Sequence, residues 1–448
     1  MSAFEIKLRA PSGDFRFRAF EAIQKFGAAR PPAIVLLLFV FLPLELYLPC
    51  VLRPAAQYLQ QQRREAMRHN TILHQMGQHR YKSAGRPFWK ASRLLFKEYP
   101  YSVSAAVFFI LMGAGSLLYT NYYYHSYIIG AFLKYPEPVA KQLRKALYYT
   151  NMSLEPRNAM KYYREALRVA DEMNVDSFSD EIMGIKFHIV ALLERVQHYQ
   201  KAIDVLEIVK ADNLKWIEIL GNKEGNQGKR NRILGKTVSI SVKLGELYAN
   251  QYVLEREKAE EQLVWAVETL LKEQQRRERE GVKEGEGEWL SAEEIGGTFE
   301  SLGHHYEEMN HHYLAAPLFL QALMRSPPRS CHTAVLMNNL SISLAQQLPP
   351  STPDSIPITR TQLISNARAW AEKAIALTSK ITPPERTEEC DVGCAVATHN
   401  LGEFAEMDGN VEEARRRFEE AKVLARAVGF REGVANAEKG LKRIKKKA

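Results

Sequence analysis

The sequence predicts an all-α protein, a repetitive helical solenoid held to a membrane by one apolar helix, and three observations carry that prediction. Val103 to Thr120 runs for eighteen residues without a charge. From Ala140 onward apolar residues recur at helical spacing, and no period-2 alternation marks a strand. Through the same region alanine and glycine return in one fixed register, the mark of a repeat.

Residues 1–30 interleave Lys7, Arg9, Arg16, Arg18, Lys25 and Arg30 with Phe4, Ile6, Leu8, Phe15, Phe17, Phe20, Ile23 and Phe26. Such a basic, amphipathic beginning suits a mitochondrial presequence, although Glu5, Asp14 and Glu21 are more acid than transit peptides carry. A second apolar run, Ala33 to Leu44, is interrupted by Glu45 and Pro49 before it would comfortably cross a bilayer. A second span, an uncleaved targeting hydrophobe and an interfacial helix all fit it. Residues 1–102 are therefore expected to form a basic N-terminal region that holds a candidate targeting segment and this run, at 33–52.

At ~1.5 Å per residue the helix at 103–120 covers ~27 Å, close to the hydrocarbon thickness of a bilayer. Tyr99 and Tyr101 precede it and Tyr119, Tyr122, Tyr123 and Tyr124 follow, where amphipathic rings would sit at the two interfaces. A core helix of a soluble protein is the other reading, but such a helix normally keeps a polar face. Arg86, Lys90, Arg93 and Lys97 closely precede the helix, whereas only Lys134 follows within twenty residues. The positive-inside rule then sets the N-terminal flank on the inner side and the C-terminal domain opposite, whether there is one span or two.

The net charge of +9 divides at this helix: residues 1–100 hold 16 basic against 6 acidic residues, so the remaining 348 balance to −1. A nucleic-acid-binding domain would carry its own basic face, and none is expected here. Four cysteines, Cys50, Cys331, Cys390 and Cys394, are too few for a disulfide scaffold. Cys390 and Cys394 are expected as exposed free thiols or as a facultative pair.

The cleanest repeat is Gly296 to Pro327. Leu302, Gly303 and Tyr306 are followed by Ala315, Phe319 and Ala322, with Pro327 closing the unit and Phe299 in the leading aromatic slot. This is the tetratricopeptide (TPR) pattern, in which small residues let two antiparallel helices approach and large ones fill the space beside the crossing. The same register holds at Leu401, Gly402, Ala405, Ala414, Phe418 and Ala421, and at Leu244, Gly245, Tyr248, Ala259, Leu263 and Ala266. A unit split by a Pro-rich loop contains Leu340, Ser341, Leu344, Ala367, Ala371 and Ala374. Ala159, Tyr163 and Ala166, and then Ala202, Leu206 and Val209, match second helices of two earlier units. The solenoid is thus predicted over 132–430, with polar segments 221–231, 272–288 and 348–357 as exposed loops. Residues 431–448 place Val434, Ala437, Leu441 and Ile444 on one face, a basic capping helix that closes the last apolar surface.

No phosphate loop, GxSxG or HExxH occurs. His304, Glu308 and His311 share helical spacing that a metal could use, but His311 lies past the first helix of its repeat, and no metal, cofactor or catalytic residue is expected. The repeat register points instead to a concave groove. Its lining positions hold Glu246, Glu300, His304, Glu307, Asn338, His399, Glu403 and Glu406. Asn339 and Asn400 stand one place before a packing leucine, where an amide can bond a peptide backbone. This groove is expected to be acidic, to lack a Lys/Arg pair for a C-terminal carboxylate, and to keep its fold when Glu300, Glu307, Glu403 and Glu406 become glutamine.

The basic N-terminal part, the membrane helix, the bridge FLKYPEPVAKQLRKALYYTN at 132–151, the segment PRNAMKYYREALRVADEM and the solenoid together resemble the fungal TPR subunit of the mitochondrial inner-membrane i-AAA protease complex. The resemblance covers residues from about 95 to the end, and the run at 33–44 departs from the family's single span. It implies an adaptor without catalytic residues, its solenoid in the intermembrane space. There it would bind unfolded client proteins and bring them to the i-AAA protease subunits. A respiratory-complex assembly factor or import receptor on a mitochondrial membrane is the alternative within the class, and a metalloenzyme built on His304 the alternative outside it.

Overall fold

The computed structural model describes residues 96–97, 100–124, 126, 130–347 and 359–446. The apolar run at 33–52 and the Pro-rich loop at 348–357 fall outside them. The candidate membrane helix is α1, Pro100–Tyr123, longer at both ends than the uncharged run itself. Among the described residues it is the one helix long and apolar enough to cross a membrane, and Phe109, Leu117 and Leu118 stand exposed on it.

Beyond a single turn at Gly130–Phe132, the chain forms antiparallel helix pairs: α2 (Glu137–Asn151) with α3 (Pro156–Glu172), α4 (Asp180–Arg195) with α5 (Tyr199–Leu220), and α6 (Gln227–Ala249) with α7 (Arg256–Glu280). Then come α8 (Ala292–Glu308) with α9 (His312–Arg325), α10 (Cys331–Gln346) with α11 (Arg360–Thr378), and α12 (Glu388–Met407) with α13 (Val411–Ala427), before α14 (Arg431–Lys445) covers the end. The six repeat units of the sequence correspond one to one with these pairs. Local chemistry sets their limits. Ser291 and Glu294 form a capping box at the start of α8, as Thr359 and Gln362 do for α11, and Pro156 opens α3 where its missing N–H costs nothing. Gly409, at φ +77°, makes the turn into α13.

The alanines of the repeat register are buried to within 2% exposure: Ala159, Ala166, Ala202, Ala259, Ala266, Ala315, Ala322, Ala367, Ala371, Ala374, Ala414 and Ala421. The glycines mark where the helices come closest. A Cβ on Gly303 would stand 3.0 Å from the Phe319 ring, one on Gly402 2.8 Å from Phe418, and one on Gly245 2.4 Å from Leu263. Packing therefore seats the large residue of the second helix directly on the glycine of the first. The core runs as successive clusters, one spanning α2 to the start of α7, the next α6 to α10, the last around Phe418 and Ile444. On α14 Ala437 and Ile444 are buried and Val434 and Leu441 half-buried.

Three expectations are corrected. Cys390 is fully buried and joined to Cys331, 59 residues earlier, tying the start of α12 to that of α10; among the described residues Cys394 is the free thiol. Spacing in sequence could not show this, because the two helices become neighbours only when the solenoid stacks. Of the segment 221–231, residues 227–231 already belong to α6. The charged segment 272–288 is an exposed loop only over 281–288, and two of its acids are buried in ion pairs. Residues up to Glu280 continue α7, and Glu273 and Glu286, 4% and 3% exposed, are held by Arg276 and Arg277. Arg230 of α6 approaches Glu273 at 3.6 Å. Burial opposes the charge on Glu273, but these guanidinium groups hold its carboxyl below the usual range.

Gly402→Leu and Gly303→Leu should each lower the melting temperature, since overpacking so close a crossing costs about 1–3 kcal/mol or more. A melting temperature equal to the parent's would show that the ring does not rest on the glycine.

Candidate functional site

The first helices of the later pairs bring the predicted groove residues together, and most are already engaged. On α8 Glu300, His304 and Glu307 lie on one face. The His304 ring meets Glu307 Oε2 at 3.2 Å and Glu300 Oε1 at 3.5 Å. His332, from the first turn of α10, bonds Glu300 Oε2 at 3.0 Å through Nε2 and Glu389 Oε1 of α12 at 3.1 Å through Nδ1. Five side chains of alternating charge thus form a chain from α8 across α10 to α12. Burial alone would raise the Glu300 pKa, yet the two imidazoles bring it down to about 2. Burial would likewise lower both histidines, but their carboxylates push His304 up to about 9 and His332 to about 10. Protonated rings donate from both nitrogens and have no lone pair for a metal. Among the described residues no group of three or more His, Cys, Asp or Glu side chains is arranged to hold a metal ion.

Further along, Asn400 of α12 donates to Asn338 Oδ1 of α10 at 2.9 Å, both side chains buried. Of the two amides expected to meet a peptide backbone, Asn400 links two repeats instead. Asn338 Nδ2, Asn339 Nδ2 and His399 Nδ1 are buried without a hydrogen-bond partner. His399 Nε2 lies 3.3 Å from Glu403. Arg443 of the capping helix reaches back over Phe418 to bond Glu406 Oε2 at 2.6 Å and Glu403 Oε1 at 2.7 Å. Burial opposes ionisation of Glu403, and His399 with Arg443 overcomes it, so its pKa is lowered. Upstream, Lys243 bridges Glu246 of its own helix, at 3.3 Å, and Glu194 of α4, at 3.1 Å.

The groove therefore presents no free strip of carboxylates. Glu300 and Glu307 are half-neutralised by histidine, and Glu403 and Glu406 carry an arginine from the chain's own C-terminal helix. For Glu300 this changes the expected effect of glutamine: two imidazolium rings would lose their common counter-charge, and the fold should weaken. His332, Glu389 and Arg443 were not singled out by the repeat register, because His332 and Glu389 precede the lining positions of their helices and Arg443 belongs to no repeat. Their charge type was the only signal available.

Helix pairs in this register define the class: the chain is an all-α helical solenoid whose pairs pack in the TPR pattern. It is similar to a TPR repeat-containing protein of Schizosaccharomyces pombe, 27% identical over 319 residues that make up 70% of this chain and 80% of the relative. No family model matches the chain. Among solved structures it is similar to BtubC (BKLC) from P. vanneervenii, over 65% of this chain and 91% of that one, at 14% identity and a TM-score of 0.41. The TPR2AB-domain:pHSP90-complex of yeast Sti1 matches over 67% of this chain and 98% of its own, at 13% identity and a TM-score of 0.20.

The ionic chain gives a pH dependence of defined sign. The histidines lie above their ordinary 6.5 in the fold, so their stabilisation is complete below about 6.5 and is lost as pH rises through about 9 to 10. Glu300 lies below its ordinary 4.5, so its share is present above that value and lost as pH falls toward 2. Urea midpoints measured across pH should show that His332→Gln removes part of the parent's decline between pH 7 and 10. Parallel curves for parent and variant would mean that His332 is not charged in the fold.

Proposed function

We propose that this protein is a membrane-anchored, non-enzymatic TPR adaptor that binds unfolded or misassembled proteins and recruits them to the i-AAA protease of the mitochondrial inner membrane for quality-control degradation. The observation that carries the reading is the union in one chain of the uncharged helix α1 with a solenoid of helix pairs. An uncharged span fixes the protein in the bilayer, and the solenoid supplies a long surface for protein partners. The bridge at 132–151 and the segment that forms α3 support the choice of complex, through the family resemblance they carry. The basic flank Arg86 to Lys97 supports a solenoid in the intermembrane space, and the buried Cys331–Cys390 bond supports a compartment that permits disulfides.

Client capture would use extended segments laid along the concave face, with many weak contacts adding along the repeats. A basic client segment would compete with Arg443 for Glu403 and Glu406, so the capping helix sets a threshold that weakly basic segments do not pass.

Affinity purification from gently solubilised mitochondria should recover i-AAA protease subunits with this protein. Recovery of respiratory assembly intermediates or import substrates in their place would move the assignment to the alternative adaptor roles. Protease added to mitochondria with a ruptured outer and intact inner membrane should degrade the solenoid, and its survival would reverse the orientation.

A further inference from the structure

The first helix pair has an outer face unlike the rest of the solenoid. Along α2 and its C-cap, Lys141, Lys145, Tyr148 and Met152 fall at successive turns and all are exposed, Tyr148 by 55% and Met152 by 71%. On α3, Arg157, Lys161, Arg164 and Arg168 do the same, every one basic. The two stripes meet at the Tyr162 ring, which has Lys145 Nζ at 5.2 Å, Lys161 Nζ at 5.9 Å and the stacked Tyr149 ring at 5.6 Å. Tyr148 continues the aromatic group edge-on to Tyr149 at 5.4 Å. Among the nearby acids Glu137 pairs with Arg144 behind the stripe, and Glu165 and Glu172 both pair with Arg168, which leaves the other stripe cations uncompensated. Among the described residues Lys141, Lys145, Arg157 and Arg164 make no ion pair.

Charge is also distributed unevenly along the solenoid. Residues 132–170 hold eight basic residues against three acids, a balance of +5, whereas residues 171–448 balance to −6. The basic pole adjoins α1. Phe132, buried against the first pair, lies nine residues after Tyr123, which even fully extended reach only about 30 Å.

We infer that the outer face of α2 and α3 docks on the surface of the membrane that α1 crosses, with anionic phospholipid headgroups as its ligand. The inference rests on the reading of α1 as a span. Lysine and arginine attract headgroup phosphates within a Debye length, and exposed tyrosine and methionine beside them suit the boundary between headgroups and acyl chains. The short tether keeps the face within reach of that surface at high effective concentration. Docking there would leave the acidic remainder of the solenoid pointing away from a negative membrane, with its groove open to protein partners.

The full-length protein is inserted into vesicles of phosphatidylcholine, with or without phosphatidylglycerol, and exposed to a membrane-impermeant amine reagent, with labelling of each lysine read by mass spectrometry. Lys145 and Lys161 should react about fivefold more slowly in the anionic vesicles, while Lys442 at the far end is unchanged. High salt should abolish the protection, and Arg157→Gln with Arg164→Gln should reduce it while leaving both reporter lysines in place. Equal rates in the two vesicles would overturn the docking and leave the face to an acidic protein. Equal slowing of Lys442 would overturn it as well, by showing adsorption without a site. Alkaline extraction of the same vesicles tests the span separately. Protein that is extracted yet still protected keeps the docking and removes the span; protein that is retained but unprotected keeps the span and removes the docking.

Discussion

The structure depends on how closely two helices can approach at the small residues of each repeat. Phe319 resting on Gly303 and Phe418 on Gly402 leave no room for a Cβ, and the buried alanines extend that contact along both helices. A pair packed in this way still has an apolar flank that it cannot cover alone. The next pair covers it, so the core is a line of overlapping clusters rather than a single centre, and the last flank requires α14. The repeat register is the imprint of this constraint on the sequence.

Stacking has a second effect on the concave side, where first helices of successive pairs converge. Charged side chains at such a seam lose water and must find partners within the protein. Glu300, His304, His332 and Glu389 answer this by alternating sign across three helices, and Asn400 by donating a buried hydrogen bond to Asn338. The cystine at Cys331 and Cys390 joins α10 and α12 at the same end. These links fix the relative placement of repeats whose apolar contacts alone are non-directional. Arg443 follows the same rule at the end of the chain, its guanidinium lying on the last two of these carboxylates.

Charge along the chain follows the same linear logic. A solenoid does not fold its ends together, so the basic first pair and the more acidic remainder stay apart, and the end nearest α1 keeps its own electrostatic character. In a compact globular domain these charges would share one small surface. Here they form a pole, which is why a local stripe such as Arg157, Lys161 and Arg164 can be interpreted as a surface with a single partner.

Helical class, the six pairs, the apolar helix and the capping face of α14 were legible in the sequence, because each is dictated by contacts within about forty residues that repeat periodically. Gly303, Ala315 and Phe319 declare their packing by spacing alone. The groove residues were legible as positions but not as chemistry. Whether Glu300 meets water or an imidazole depends on His332, thirty-two residues away, and the state of Glu403 depends on Arg443, forty away. The pairing of Cys390 and the burial of Glu273 and Glu286 were decided in the same way, by helices brought together through stacking. Periodicity records which face of a helix is apolar; the charge that stands opposite a polar side chain is set by the rise and turn from one pair to the next, which only the assembled solenoid contains.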